Sequence, residues 1–215
     1  MVNTRDPERT RARLLAAART EFWRYGFEGG RTERIARRAR VNKALIRHHF
    51  GGKLGLYRAL LEVEIEAAQR DLAAAVGGGS EPRAKLAAFI GGLSQVLDRR
   101  PWFPAILLRE LMAGGRRMPE DLRSRFFGFF GASRAILGEG VASGAFRAVD
   151  PHAAHIALVG CLVHFALTAP LRARLEAQPG SPLAGPQPDA YARWIVDLFL
   201  RALARDPPVS RKGNP

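Results

Sequence analysis

Between Thr32 and Tyr57 the chain reads TERIARRARVNKALIRHHFGGKLGLY, a segment dense in side chains that can donate hydrogen bonds to nucleic acid. Arg, Lys and His suit phosphate oxygens and base-edge acceptors, while Ala and Leu suit the methyl group of thymine. Ile35, Ala36, Ala39, Val41, Ile46 and Phe50 recur at spacings that pack two short helices against each other. Arg34, Arg37, Arg38, Lys43, Arg47, His48 and His49 are then left facing outward. Two short helices joined by a three-residue turn, the second carrying donors on its free face, form a unit that fits a major groove. Lys43, Ala44, Leu45 and His48 are expected to face base edges, with Asn42 capping the helix they stand on. Thr32 and Lys53 open the flanking helices, where side chain and free backbone N–H groups can grip phosphate. Arg47 and His49 are expected to hold phosphates as well, and His49 has a second reading as a structural ring beside Phe50.

The charge agrees with that chemistry. Lys plus Arg number 34 against 20 Asp plus Glu over 215 residues, a formal +14. Residues 1–60 hold 15 basic and 5 acidic side chains, whereas residues 61–215 hold 19 and 15. A GC-rich genome would explain Arg over Lys, but it does not explain an excess gathered at one end; a nucleic-acid-binding module does.

Other chemistries fail on spacing. Gly51-Gly52-Lys53-Leu54 lacks the first glycine and the Ser/Thr of a phosphate loop. Gly92-Leu93-Ser94-Gln95-Val96 lacks the second glycine of a nucleophile elbow, and no strand precedes it. Glu62, Glu64 and Glu66 are two residues apart, do not share a helix face, and read as a solvated surface. His152, His155 and His164 have no carboxylates or further thiols at fitting spacing, so no metal is expected. No enzyme activity and no cofactor are expected. Cys161 is alone and can form no internal disulfide, which fits a cytoplasmic chain. MVNTRDPERTR has no apolar run of the secretory kind. No stretch is expected to span a membrane; Ala153–Leu171 reads as a buried helix.

Nearly the whole chain shows apolar spacing of three and four, so an all-α fold of about nine helices is expected. The first runs from Pro7, capped by Asp6, to Tyr25 and stops at Gly26. Thr32 caps a helix to Ala39, and Asn42 caps another over residues 43–50. A fourth covers residues 53–76 and ends in Gly77-Gly78-Gly79-Ser80, read as a loop. Helices follow over about 83–99, 102–112, 119–142, 151–169 and 189–204, with a proline-rich loop at 179–188. The division expected is a DNA-binding head over 1–60, a helical ligand-binding and dimerisation domain over 61–205, and a disordered tail over 206–215.

The N-terminal segment resembles the helix-turn-helix of the TetR family over about residues 9–60. Thr32, Ile35-Ala36, Ala39, Val41, His49-Phe50 and Lys53 match the family's pattern. Arg40 stands where the family has a turn glycine, at a cost of about 1 kcal/mol if that residue is left-handed. Arg47 replaces a phosphate-contacting Tyr, and Gly52 a Ser-like cap. The resemblance implies a bacterial transcription regulator that is a homodimer on double-stranded operator DNA, by family default a repressor.

The second half carries Trp102, Phe103, Met112, Met118, Phe126, Phe127, Phe129, Phe130 and Phe165. Each alone reads as core; together they would suit an apolar cavity. The resemblance implies such a cavity, whose small apolar effector reorients the DNA-binding heads; Trp102, Phe103, Met112, Phe126, Phe127, Phe130 and His164 are its expected lining. Small and apolar residues on one late helix (Ile156, Val159, Gly160, Val163, Leu167) and a stripe on the last (Trp194, Ile195, Leu198, Phe199) would make a four-helix dimer interface. Two other readings stand beside this one: a basic protein coating DNA without sequence preference, and a small helical enzyme using the aromatic cavity.

Overall fold

The computed structural model describes residues 6–77, 81–178 and 185–204. Among them are nine helices and no strand: α1 (Pro7–Gly29), α2 (Thr32–Ala39), α3 (Ala44–Phe50), α4 (Lys53–Val76), α5 (Pro82–Arg99), α6 (Trp102–Met112), α7 (Glu120–Ala142), α8 (Pro151–Glu176) and α9 (Pro188–Ala202). The all-α expectation holds. The tail over 206–215, most of the 179–188 loop and residues 78–80 lie outside the described residues.

The chain forms two compact units, one of residues 1–69 with 100–126, the other of 70–99 with 127–215. The unit that holds the basic segment therefore continues past residue 60 and takes in α6.

In the first unit, α1 presents Leu14, Leu15, Ala18 and Phe22 to α2 and α6, all of them buried. Asp6 accepts the N–H of Arg9 at 3.0 Å and starts α1 with Pro7 behind it. Gly26 breaks the helix at φ 65°, and a last turn continues to Gly29.

Three carboxylates are buried in this unit: Glu21, Glu64 and Glu110. Glu64 corrects the solvated-surface reading of its helix. It accepts from Arg19 Nε at 2.7 Å and from Trp102 Nε1 at 2.9 Å, with Arg100 at 3.8 Å. It thus joins α1, α4 and the start of α6. A buried charge is tolerable only when paired and hydrogen-bonded in this way. Glu62 and Glu66, to either side of the buried face, pair with Arg125. Glu110 accepts the backbone N–H of Arg117 at 2.8 Å and its guanidinium at 3.2 Å. Burial raises the pKa of Tyr57 above its ordinary value, and the adjacent Glu110 carboxylate adds to the rise.

In the second unit, α5 packs on α8 and α9 around Phe89, Ile90, Phe146, Leu158, Leu162 and Ile195. Gly140 is required on α7, because a Cβ there would stand 1.9 Å from the ring of Phe146. Phe130 packs edge-on to both His152 and His155, and Ser133 Oγ lies 2.7 Å from His155 Nδ1.

The reading of Ala153–Leu171 as a buried helix that ends at about Ala169 is corrected on both counts. Pro170 does not end α8, which runs on to Glu176. Just before the proline, Thr168 Oγ1 donates to the His164 carbonyl at 2.8 Å and Arg172 Nη1 to the Phe165 carbonyl at 2.6 Å; the carbonyl that Pro170 leaves without its N–H donor is that of Ala166. Nor is the helix buried. By length and composition α8 could cross a membrane, yet only 11 % of its most apolar stretch is covered within the chain.

Candidate nucleic-acid interface

The geometry of the basic segment begins with the end of α2. Val41 N–H reaches back to the Ala36 carbonyl and Arg40 N–H to the Arg37 carbonyl, both at 3.1 Å. This pair of bonds closes a Schellman turn, which needs a left-handed residue at its corner. That residue is Arg40, at φ 53° and ψ 47°, the one non-glycine with positive φ among the described residues. The turn is not adjusted to spare the arginine; the arginine adopts the conformation of the glycine it replaces.

Ile35, Ala36 and Ala39 of α2 and Ile46 of α3 are buried, as their spacing requires. Asn42 Oδ1 accepts the N–H of Ala44 at 2.8 Å, so Asn42 does cap α3. At the other end of α3, a Cβ on Gly55 would stand 1.7 Å from the Phe50 carbonyl oxygen. Only glycine lets α4 approach the end of α3 so closely. Spacing alone gives Gly55 no role, although a glycine in the first turn of a helix is its signal.

Along α3, Lys43, Ala44, Arg47 and His48 are exposed, and Leu45 and His49 are half-buried. His49 lies between His48 and Phe50, with ring centroids 5.1 and 6.2 Å away. Lys43 is paired with Glu33, whose carboxyl is held below its ordinary pKa chiefly by that hydrogen bond. Lys53 is drawn over the Phe27 ring, 4.6 Å from its centroid, and donates to the Glu28 carbonyl at 3.2 Å.

Two expectations need correction. Thr32 is not the cap of α2: Arg31 occupies that position with no side-chain cap, and Thr32 is the first helical residue, its hydroxyl 3.4 Å from Glu33. The acceptor at this helix start is Glu21 of α1, which takes the Arg31 N–H at 2.9 Å. Arg34 is not an outward donor either. It is bound to the same buried Glu21 at 2.5 Å and lies over the Tyr25 ring. Burial alone would raise the Glu21 carboxyl; the hydrogen bonds from Arg34 and Arg31, with the Arg34 and Arg38 charges, outweigh it and hold the group below its ordinary range.

Of the residues expected to line an effector cavity, Trp102, Phe103, Met112 and Phe126 belong to the first unit and Phe127, Phe130 and His164 to the second. Phe103 is buried in the first unit's core, while Met112 and Phe127 are exposed. His164 is exposed on α8 and in four-residue register with Gly160 and Ile156, so it belongs with the residues of that outer row. Ile156 is 57 % exposed, as is Trp194 on α9, with Leu198 beside it. Ile195 is fully buried in the core of its own unit and offers no surface to a partner. Val159, Val163 and Phe199 are partly covered by that core.

The sequence profile described as "Bacterial regulatory proteins, tetR family" matches residues 14–60. Over 58 residues the chain is 50 % identical to the HTH-type transcriptional repressor SCO4008 of Streptomyces coelicolor, an overlap of 27 % of this chain and 30 % of that protein. The HTH-type transcriptional repressor NicS of Pseudomonas putida is 31 % identical over 211 residues, 95 % of this chain and 97 % of its own length. Among solved structures, the regulator FadR of Bacillus subtilis in complex with stearoyl-CoA has a similar fold (TM-score 0.69, 18 % identity, 89 % of this chain and 98 % of that one).

Proposed function

The chain belongs to the TetR family and is a DNA-binding transcription regulator rather than an enzyme, and on that premise we propose that it is a repressor: a homodimer that holds a palindromic operator and releases it when a small apolar effector binds. The observation that carries this reading is the row of exposed side chains on α3, raised from the head by the Arg40 turn and the close approach at Gly55. Lys43, Ala44, Leu45 and His48 read base edges; Thr32, Arg47, His49 and Lys53 hold phosphates; Asn42 fixes the first turn of the recognition helix. Lys43 exchanges Glu33 for DNA on binding. NicS and SCO4008 are both transcriptional repressors. The head comprises residues 1–60 and the ligand-binding and dimerising part residues 61–205.

The second copy covers the outer row of α8, Ile156, Gly160 and His164, with Trp194 and Leu198 of α9. Val159, Val163, Leu167 and Phe199 flank it. A membrane is the poorer occupant, because Leu158 and Leu162 of the same helix are committed to the core against α5; a spanning helix is lipid-facing on its free sides, not half built into a globular unit. The effector is apolar, in keeping with the aromatic residues that the second half of the sequence carries, and a protein of similar fold holds stearoyl-CoA, whose acyl chain is apolar. The site of action is the cytoplasm, where the operator is.

Selection of genomic fragments by the purified protein at about 150 mM salt, which suppresses purely electrostatic binding, tests the reading. One or a few imperfect palindromes are expected. Fragments with no shared sequence would replace it with a protein that coats DNA non-specifically.

A further inference from the structure

An open basin of about 600 Å³ lies between the start of α1 and the end of α2, and no α3 residue lines it. Arg9, Arg13, Arg38 and Arg40 surround it, and the buried Ala17 and Ala39 are at its floor. No acidic residue lines it. Among the described residues none of these four arginines makes an ion pair, as is also true of Arg11, Arg24, Arg37 and Arg47, whereas Arg19, Arg34, Arg117 and Arg125 of the same unit are matched to glutamates; what sets the four apart is that they converge on one basin. Asp6, the cap of α1, accepts the backbone N–H of Arg9, and Glu8 of the first turn does not line the basin. Four like charges around a small-residue floor repel one another, and no carboxylate in the basin offsets that repulsion.

A second observation is independent of charge. Arg40 stands in a left-handed conformation that glycine would take without strain. The strain falls on Arg40, which also lines the basin. A residue held against such strain is a pointer to function. Arg13 adds to this: its Nη2 donates to the Arg40 carbonyl at 3.1 Å, so the corner is tied to α1 through the backbone and the Arg40 guanidinium needs no internal partner.

Location supplies the ligand. The basin is at the end of α2 that leads into the first turn of α3, the part of a recognition helix that meets base edges. Thr32, at the other end of α2, is the start of the phosphate-gripping set. The eight residues of α2 span about 12 Å, the width of a B-DNA major groove. We infer that the basin takes a backbone phosphate on the groove wall opposite the one held by Thr32 and Lys53, so that each head clamps its half-site from both sides. This inference rests on the operator-binding reading above.

The test uses the full chain and a duplex recovered in the genomic selection, lengthened by about ten base pairs on each side. Arg40→Gly and the double variant Arg9→Gln/Arg38→Gln are titrated against it from 50 to 200 mM salt. The slope of log affinity against log salt should flatten by about 0.9 for each phosphate that the variant no longer neutralises, which is about a threefold smaller fall in affinity across that range. Sequence preference should be unchanged, and Arg40→Gly should melt no lower than the parent, so misfolding cannot account for the effect. Replacing single flanking phosphates by neutral methylphosphonates should weaken the parent at one position per half-site and leave Arg40→Gly indifferent there. An unchanged slope in both variants, with the parent still selecting its palindrome, overturns the basin as a DNA-binding site. So does a melting shift with millimolar orthophosphate or pyrophosphate that the variants lose while their DNA slope stays intact; the basin then serves a free anion. If the parent selects no shared sequence, it is the operator-binding reading that fails.

Discussion

Arg13 of α1 holds Arg40 of the turn by its carbonyl oxygen, over 3.1 Å, and does so without engaging the Arg40 side chain. The corner of the helix-turn-helix is thus secured from behind, and its strained residue keeps a free guanidinium. An interaction that fixes backbone while sparing a charge separates the stability of the head from its affinity for DNA.

Arg40→Gly should therefore raise the stability of the protein, by about 1 kcal/mol, since the Schellman corner is then occupied by the residue that suits it. Urea denaturation followed by circular dichroism measures this. Arg13→Ala should move the other way by about 1 kcal/mol, through loss of the tether. A fall for Arg40→Gly would mean that the arginine side chain supports the fold.

Lys53→Ala should weaken binding to every DNA sequence alike and flatten the salt dependence, because the role proposed for Lys53 is to meet phosphate. His48→Ala should alter which sequences are preferred while leaving the salt dependence nearly intact. Parallel selections with each variant distinguish the two; an interchange of these results would reverse the assigned roles.

Two glycines in helices should respond oppositely to alanine. At Gly55 the added Cβ meets the Phe50 carbonyl, and Gly55→Ala should destabilise the head and abolish operator binding. At Gly138, on the exposed side of α7, a Cβ meets nothing within 4 Å, and Gly138→Ala should stabilise by up to about 1 kcal/mol. Thermal melts of the two variants provide the comparison.

Acid should loosen the head. Glu21 titrates below its ordinary value of 4.5 in the folded chain, so its contribution is fully present above that pH and is lost as the pH falls through the depressed value. Glu33, lowered by Lys43, acts in the same direction. Glu21→Gln should be less stable near neutrality and show a shallower decline between about pH 5 and 3. Equal acid slopes for variant and parent would remove Glu21 as the source.

On the proposed homodimer, Ile156→Arg combined with Leu198→Arg should give a monomer in sedimentation and weaken operator binding strongly, because two half-sites would no longer be held together. Both side chains are exposed in the single chain, so folding should survive. A variant that remains dimeric would move the interface elsewhere.

Much of this is legible from spacing alone. Ile35, Ala36, Ala39 and Ile46 are buried where a 3.6-residue period puts them, and Asn42 caps α3 by the hydrogen bond its side chain is suited to make. The basic bias of residues 1–60 and the run from Thr32 to Lys53 point to a DNA-binding head by themselves. Such features depend on neighbours along the chain, and periodicity, capping and composition are properties of neighbours.

The sites that had to be corrected depend on residues distant in sequence. Glu64 reads as a surface carboxylate among alternating glutamates, but Arg19, 45 positions away, and Trp102, 38 away, enclose it. Arg34 faces outward on the helical wheel, yet Glu21 claims it. Ile195 shares a stripe with Trp194 and Leu198, while α5 and α8 bury it and leave its neighbours bare. The family and the helices were thus determined by the sequence itself, through local rules. Which charges are paired, which apolar residues remain uncovered, and that four arginines surround one basin were decided only by tertiary packing, because burial and ion pairing are set by whatever the fold brings across from elsewhere in the chain.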